Sequence, residues 1–388
     1  MVPTDPKGTP QLTLRERFWK RWFPPAAAVG GLAALVAAAL RVRPAPRAHT
    51  SVGSKAPAPA QGPTPPTPES APVEARGPAR GRVLSMASPQ AMPPLERQYA
   101  PVAAIGRTPS SPPFRQWLSG VATGPSDQVY ALGDSEIRVF DSEGRLLRQW
   151  RVADSVQCFG VGPDGRVYSG GAGRVEIFGP DGRRSGGFSV GAATSPASLT
   201  AVRVAGADIL VADASARIIR RFDAAGRPLG LIGDRSKTKS FILPNGYLDV
   251  VVDAENRVYA TDTGRHQVTT WSVDGTPTGR FGKFGMTDPA DFVGCCNPVN
   301  LAVTPDGKIV TAEKMIARVK VFEPGGKLIA FIGPEHFDQM ATHIHLAVDS
   351  KGRILAADPV RREITIFSLA APSGRLDTPP GGHSGAQG

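Results

Sequence analysis

The stretch RVYATDTGRHQVTTW at residues 257–271 decides the fold of this 388-residue chain. It reads as a strand through Val258, Tyr259 and Ala260, a polar turn over 262–266, and a second strand that ends on Trp271. Two short runs of β-branched and aromatic residues joined by a turn holding Gly264 form a hairpin. LDVVV at 248–252 adds a strand before it and TGRFG at 278–282 one after it, so the unit holds four strands.

The same order recurs along the chain. Strands that end on an aromatic finish at Phe140, Phe178, Phe222, Trp271, Phe322 and Phe367, spaced 38, 44, 49, 51 and 45 residues apart. In the fifth unit the strands are NLAV (300–303), KIVTAE (308–313), RVKVF (318–322) and LIAFIG (328–333), with a PDG turn at 305–307. A period of 40–50 residues with four short strands per unit marks a propeller blade. The sixth unit supplies HLAV, RILAAD and EITIF but lacks a fourth strand. Val102–Gly106 ends as LGLIG (229–233) and LIAFIG do, so it is expected to complete the last blade and close the ring without an open edge. The expected fold is all-β, a six-bladed β-propeller over 98–370 closed by an N-terminal strand.

Proline, a short apolar strand, a polar turn, a strand ending in Ala-Asp and an aromatic-ended strand together resemble the NHL repeat, best in 257–271. The resemblance spans about 98–370 and implies the fold rather than an activity. It also implies a repeat role for His266, bonding local backbone, and for Asp213, Asp262 and Asp358, which end second strands and fix the turns that follow.

Outside the repeats the composition changes. Fourteen of the 45 Lys/Arg and five of the 34 Asp/Glu precede Thr108, so nine of the eleven net positive charges lie in that part. The repeats are nearly neutral, which argues against nucleic acid as a partner. Residues 1–23 carry a basic cluster at Arg15, Arg17, Lys20 and Arg21, and 24–40 hold the apolar run AAAVGGLAALVAAAL. A basic segment before an apolar run is a targeting signal, and Arg41-Val42-Arg43-Pro44 suits signal peptidase poorly. An uncleaved transmembrane signal-anchor at 24–40 is therefore expected, with the N-terminus inside and the propeller extracytoplasmic, in the periplasm or at the cell surface. Residues 41–97 are rich in Pro and Ala and read as a disordered linker, and 371–388 as a disordered tail.

Propellers bind at the mouth of the axial channel, lined by the innermost strand of each blade. In register, those strands place Gly120, Cys158, Ala201, Asp249, Asn300 and His345 around one ring. Core packing alone would favour apolar residues there, so the ring suggests a polar site that engages a protein or small-molecule ligand. Beside it, Asp291–Pro298 carries Cys295 and Cys296, and His343 stands two residues before His345.

Thiolates and imidazoles suit zinc or copper, which makes His343, His345, Cys295 and Cys296 a candidate metal set. Cys295 and Cys296 are equally a candidate vicinal redox pair, or small residues that pack a loop. The alternative function is therefore a metal- or thiol-dependent enzyme, a lyase, hydrolase or redox catalyst, at the Cys295-Cys296/His345 mouth. The fold also resembles that of the peptidyl-α-hydroxyglycine amidating lyase, whose zinc is held by histidines of several inner strands. Here only His345, with His343 before it, comes from such a strand, and Asp249, Asn300 and Cys158 occupy equivalent places. Gluconolactonase-like propellers hold calcium on carboxylates; Asp249 and Asn300 match part of that site, without its Glu. Glu313-Lys314 replaces the usual Ala-Asp ending and is a candidate ion pair. No phosphate loop, nucleophile elbow or HExxH motif occurs.

Overall fold

The computed structural model describes residues 95 and 97–370, apart from 193 and 237. The expected basic segment 1–23, anchor 24–40, tail 371–388 and nearly all of the linker 41–97 lie outside the described residues. Among the described residues no helix is long and apolar enough to cross a membrane.

Strand β1 (Tyr99–Ile105) precedes blade I, built of β2 (Leu118–Thr123), β3 (Val129–Gly133), β4 (Glu136–Phe140) and β5 (Leu146–Arg151). Blade II holds β6 (Val156–Val161), β7 (Val167–Gly171), β8 (Arg174–Phe178) and β9 (Arg184–Ser189). A small hairpin, β10 (Gly191–Ala192) and β11 (Ser195–Pro196), leads to blade III: β12 (Leu199–Ala205), β13 (Asp208–Asp213), β14 (Ile218–Phe222) and β15 (Pro228–Ile232). Blade IV is β16 (Val250–Val252), β17 (Val258–Asp262), β18 (Gln267–Trp271) and β19 (Pro277–Phe281). Blade V is β20 (Asn300–Val303), β21 (Ile309–Glu313), β22 (Arg318–Phe322) and β23 (Leu328–Ile332). Blade VI contributes β24 (His345–Val348), β25 (Ile354–Asp358) and β26 (Glu363–Leu369).

The sixth sheet runs β1-β26-β25-β24, so the N-terminal strand is its outer strand. Tyr99 pairs with Leu369 and Ile105 with Ile364, antiparallel, with one irregularity between Pro101 and Ala103. Closure is thus as the strand count demanded. Just before β1, the Arg97 amide donates to the Ile329 carbonyl and its guanidinium pairs with Asp306.

Six apolar clusters hold the ring, each between neighbouring blades. One joins Leu210 and Ile219 of blade III to Val258 and Trp271 of blade IV, and another joins Phe140 of blade I to Ile364 of blade VI. The second strands are covered by blades on both sides, and β3, β7, β17, β21 and β25 are buried along their whole length. This explains their mostly apolar sequences, with the charged residue kept for the last position in β17, β21 and β25. Outer strands such as β19 are mostly exposed.

The acids at the ends of second strands hold more than their own turns. Asp213 accepts the Ala216 amide, and Asp358 those of Val360 and Arg361, as the repeat pattern implies. In addition Asp262 accepts the Ile242 amide, Glu313 that of Val293 and Asp338 donates its amide to Asp358, each across twenty residues. Each acid therefore pins the loop that enters its own blade, which fixes the start of the inner strand.

Candidate functional site

The inner strands β2, β6, β12, β16, β20 and β24 line the axis, and strand pairing sets the six residues read from register at one level. Gly120 lies opposite Leu132, Cys158 opposite Gly170, Ala201 opposite Ala212, Asn300 opposite Ala312 and His345 opposite Ala357. Asp249 occupies the same level just before β16, its amide donating to Thr261 Oγ1 and its carbonyl accepting the Thr261 amide. The partner is in every case the next-to-last residue of the second strand.

Blades I to III carry a bulge immediately before this level, between Leu118 and Gly120, Val156 and Cys158, and Leu199 and Ala201. A bulge turns its extra residue out of the regular alternation. In blade III that residue is Thr200, which lines the axial cavity, donates to the Leu248 carbonyl at 2.7 Å and accepts the Leu248 amide at 3.3 Å. Ala201 packs instead in the core between blades III and IV. Thr200, not Ala201, is thus the axial residue of that blade.

The cavity is small, about 20 Å³, enough for a single water-sized group. Gly120, Cys158, Thr200, Arg203, Tyr247, Asn300 and His345 line it. Arg203 and Tyr247 were not singled out in the sequence.

Arg203 Nη2 donates to Asp249 Oδ1 at 3.1 Å, while its Nη1 donates to the Val202 carbonyl at 2.9 Å. Asp249 is 1% exposed, and its carboxylate also accepts the amides of Val250 and Leu301, each at 2.9 Å, and the Asn300 side chain at 3.3 Å. One carboxylate therefore ties blades III, IV and V together. Both of its oxygens are occupied, so Asp249 serves as a staple more readily than as a ligand to calcium.

Asn300 Nδ2 also donates to the Tyr247 hydroxyl at 2.9 Å. The Tyr247 ring stacks on His343 with centroids 4.3 Å apart, and His343 lies 6.3 Å from His345. Burial raises the Tyr247 hydroxyl well above its ordinary value, and the Asp249 charge adds to this. Burial likewise pushes His343 down to about 3, helped by His345 and Lys314, and His345 down to about 4, helped by Arg203. Both imidazoles are neutral at pH 7. Asn300 Oδ1 and His343 Nδ1 are buried without a hydrogen-bond partner. Asn300, which lines the cavity, thus carries an unmet acceptor, and His343, which packs on Tyr247 without lining the cavity, an unmet ring nitrogen.

Cys158 is buried, donates weakly to the Gly170 carbonyl at 3.6 Å, and is pushed up to about 12 by burial. Cys295 and Cys296 lie outside the cavity lining, with their sulfurs 2.9 Å apart. Among the described residues no three His, Cys, Asp or Glu side chains gather as a metal site. His343, His345, Cys295 and Cys296 therefore do not form one ligand set. The charge of Lys314 acts on both His343 and Cys296.

Two further expectations change. His266 Nδ1 has no hydrogen-bond partner, and the ring stands edge-on to Phe284 with centroids 5.2 Å apart rather than bonding backbone through that atom. Glu313 pairs with Arg318 and with Lys320, not with its neighbour Lys314. Lys320 is fully buried, and burial pushes it down to about 8.

No family model matches the chain. Among solved structures, a Bacteroides thetaiotaomicron protein of unknown function is 15% identical, with a TM-score of 0.51, covering 66% of this chain and 70% of that one. A streptogramin B lyase is 14% identical with a TM-score of 0.46, covering 65% of this chain and 93% of its own. A catalytically inactive Staphylococcus aureus virginiamycin B lyase with quinupristin is 10% identical with a TM-score of 0.48, covering 65% and 80%. By its six four-stranded sheets, the last completed by the N-terminal strand, the chain is a six-bladed β-propeller.

Proposed function

We propose that this chain is a membrane-tethered, extracytoplasmic propeller of the NHL-repeat type, which holds a polar group of a protein or small-molecule ligand at its axial mouth. The observation that carries the reading is the bare Asn300 Oδ1, on a residue that lines the cavity, with a second bare atom, His343 Nδ1, on the ring that packs against Tyr247. Buried polar atoms are ordinarily satisfied, and each one left bare costs about 1–3 kcal/mol. A ligand group that donates to Asn300 and meets His343 would recover that cost. The cavity takes only one small group, so the remainder of the ligand would rest on the rim.

The tether rests on the basic cluster Arg15–Arg21, the apolar run 24–40 and the proline-rich spacer after it. At the axis, binding is favoured over thiol catalysis because Cys158, the thiol that lines the cavity, is held protonated by burial, while Cys295 and Cys296 lie outside the lining.

The test is a thermal-shift series on the full-length protein with acetamide, methylurea, acetate and N-acetylated dipeptides. The reading expects an amide donor to raise Tm in the wild type and not in Asn300→Ala, with Arg183→Ala, on an outer strand's exposed turn, behaving as wild type. Equal shifts in wild type and Asn300→Ala would reject the axial mouth as the site.

A further inference from the structure

The loop between β19 and β20 carries two adjacent thiols that the axial site does not use. Neighbouring side chains on extended backbone point to opposite sides. Cys296 instead takes a left-handed conformation, φ 64°, and the two sulfurs lie 2.9 Å apart. Cys295 is exposed and Cys296 is 4% exposed, so a reagent in solution meets Cys295 first.

The loop is gripped from below by buried side chains. Lys320 Nζ donates to the Asp291 carbonyl at 2.6 Å, and the Val293 amide donates to Glu313 at 2.9 Å. Asn297 Nδ2 donates to the Lys314 carbonyl at 3.0 Å, and the Lys314 amide returns a bond to Asn297 Oδ1 at 2.9 Å. Glu313 and Lys320 are at most 1% exposed, and they neutralise each other with Arg318. This grip holds the thiols together before any reaction, and groups held in reacting position behave as though present at very high local concentration.

We propose that Cys295 and Cys296 are a dithiol–disulfide exchange site, oxidised to a bond between the two neighbours by the disulfide of another molecule. Cys295 gives its proton to solvent, and its sulfur attacks one sulfur of the incoming disulfide, which releases the first thiol. Cys296 then loses its proton, and its sulfur attacks Cys295 in the mixed disulfide and releases the second thiol. The two cysteines lose two electrons and two protons, and the incoming disulfide gains both and departs as two thiols. In the reduced pair, burial and the Cys295 neighbour push Cys296 up to about 11, so the first attack falls to the exposed Cys295. This site is independent of the axial ligand.

The test treats reduced, full-length protein with glutathione disulfide, then alkylates under denaturing conditions and weighs the tryptic peptide 284–308. The expected wild-type product lacks two hydrogens and carries no alkyl group, while Cys158 is alkylated. Cys296→Ser should accumulate a glutathione adduct on Cys295, and Cys295→Ser should react at least about tenfold more slowly. A doubly alkylated wild-type peptide, under conditions that fully oxidise dithiothreitol, would overturn the proposal. So would a lasting glutathione adduct on wild-type Cys295. The wild-type masses decide the matter even where a variant folds poorly.

Discussion

Arg203 of blade III and Asp249 of blade IV meet at 3.1 Å beside the axis, and Asp249 also receives the Leu301 amide of blade V. Three consecutive blades thus converge on one buried carboxylate. Removing it would strand a guanidinium and several amides, whereas removing Arg203 would leave the carboxylate its other donors. Asp249→Ala should therefore destabilise the fold by about 3 kcal/mol and Arg203→Ala by about half as much, since Arg203 is partly solvated. Urea unfolding of both variants checks the order; equal losses would mean that the staple is not centred on Asp249.

His343 and His345 give stability a predictable pH dependence. Their folded values, about 3 and about 4, lie below the ordinary histidine value near 6.5, so the unfolded chain takes up protons first. Stability from these groups is complete above about pH 6.5 and is lost as pH falls toward 4, with uptake of up to two protons per unfolding event. Urea midpoints between pH 7 and 4 should fall steeply in the wild type and less so in His343→Asn and His345→Asn. Identical slopes would show that neither imidazole is held neutral.

Much of this architecture was legible in the sequence because it repeats. The aromatic strand ends set the blade count, the missing fourth strand of the sixth unit identified Val102–Gly106 as the closing strand, and downstream turns fixed the level of Cys158, Asn300 and His345. What escaped was set by local irregularity or by distance along the chain. The bulge before Ala201 exchanges it for Thr200 at the axis, and no pattern in the sequence announces a one-residue bulge. Arg203 lies two residues beyond the predicted level and Tyr247 sits in a connecting loop, so neither belongs to the ring read from register. Lys320 was not singled out in RVKVF; it is fully buried, and its partner Glu313, 2.7 Å away, lies on the neighbouring strand.

Ring closure rests on β1. Ile105 is 1% exposed and packs with Phe114 and Ile364 between blades VI and I. Ile105→Ala should cost about 3 kcal/mol in urea unfolding. Deleting residues 98–106 should do more, because it leaves β26 as a bare edge and opens the core beside it. Calorimetry should then show a broad, less cooperative transition and aggregation on heating. A sharp transition at the wild-type temperature would contradict closure by this strand.

The axial mouth is the centre of the functional reading, and the ring resonances of His343 and His345 report on it directly. With isotope-labelled histidine in the full-length protein, both rings should remain neutral down to about pH 5, and acetamide should shift the His343 signals in the wild type but not in Asn300→Ala. Rings that titrate near 6.5 and ignore acetamide would contradict the account.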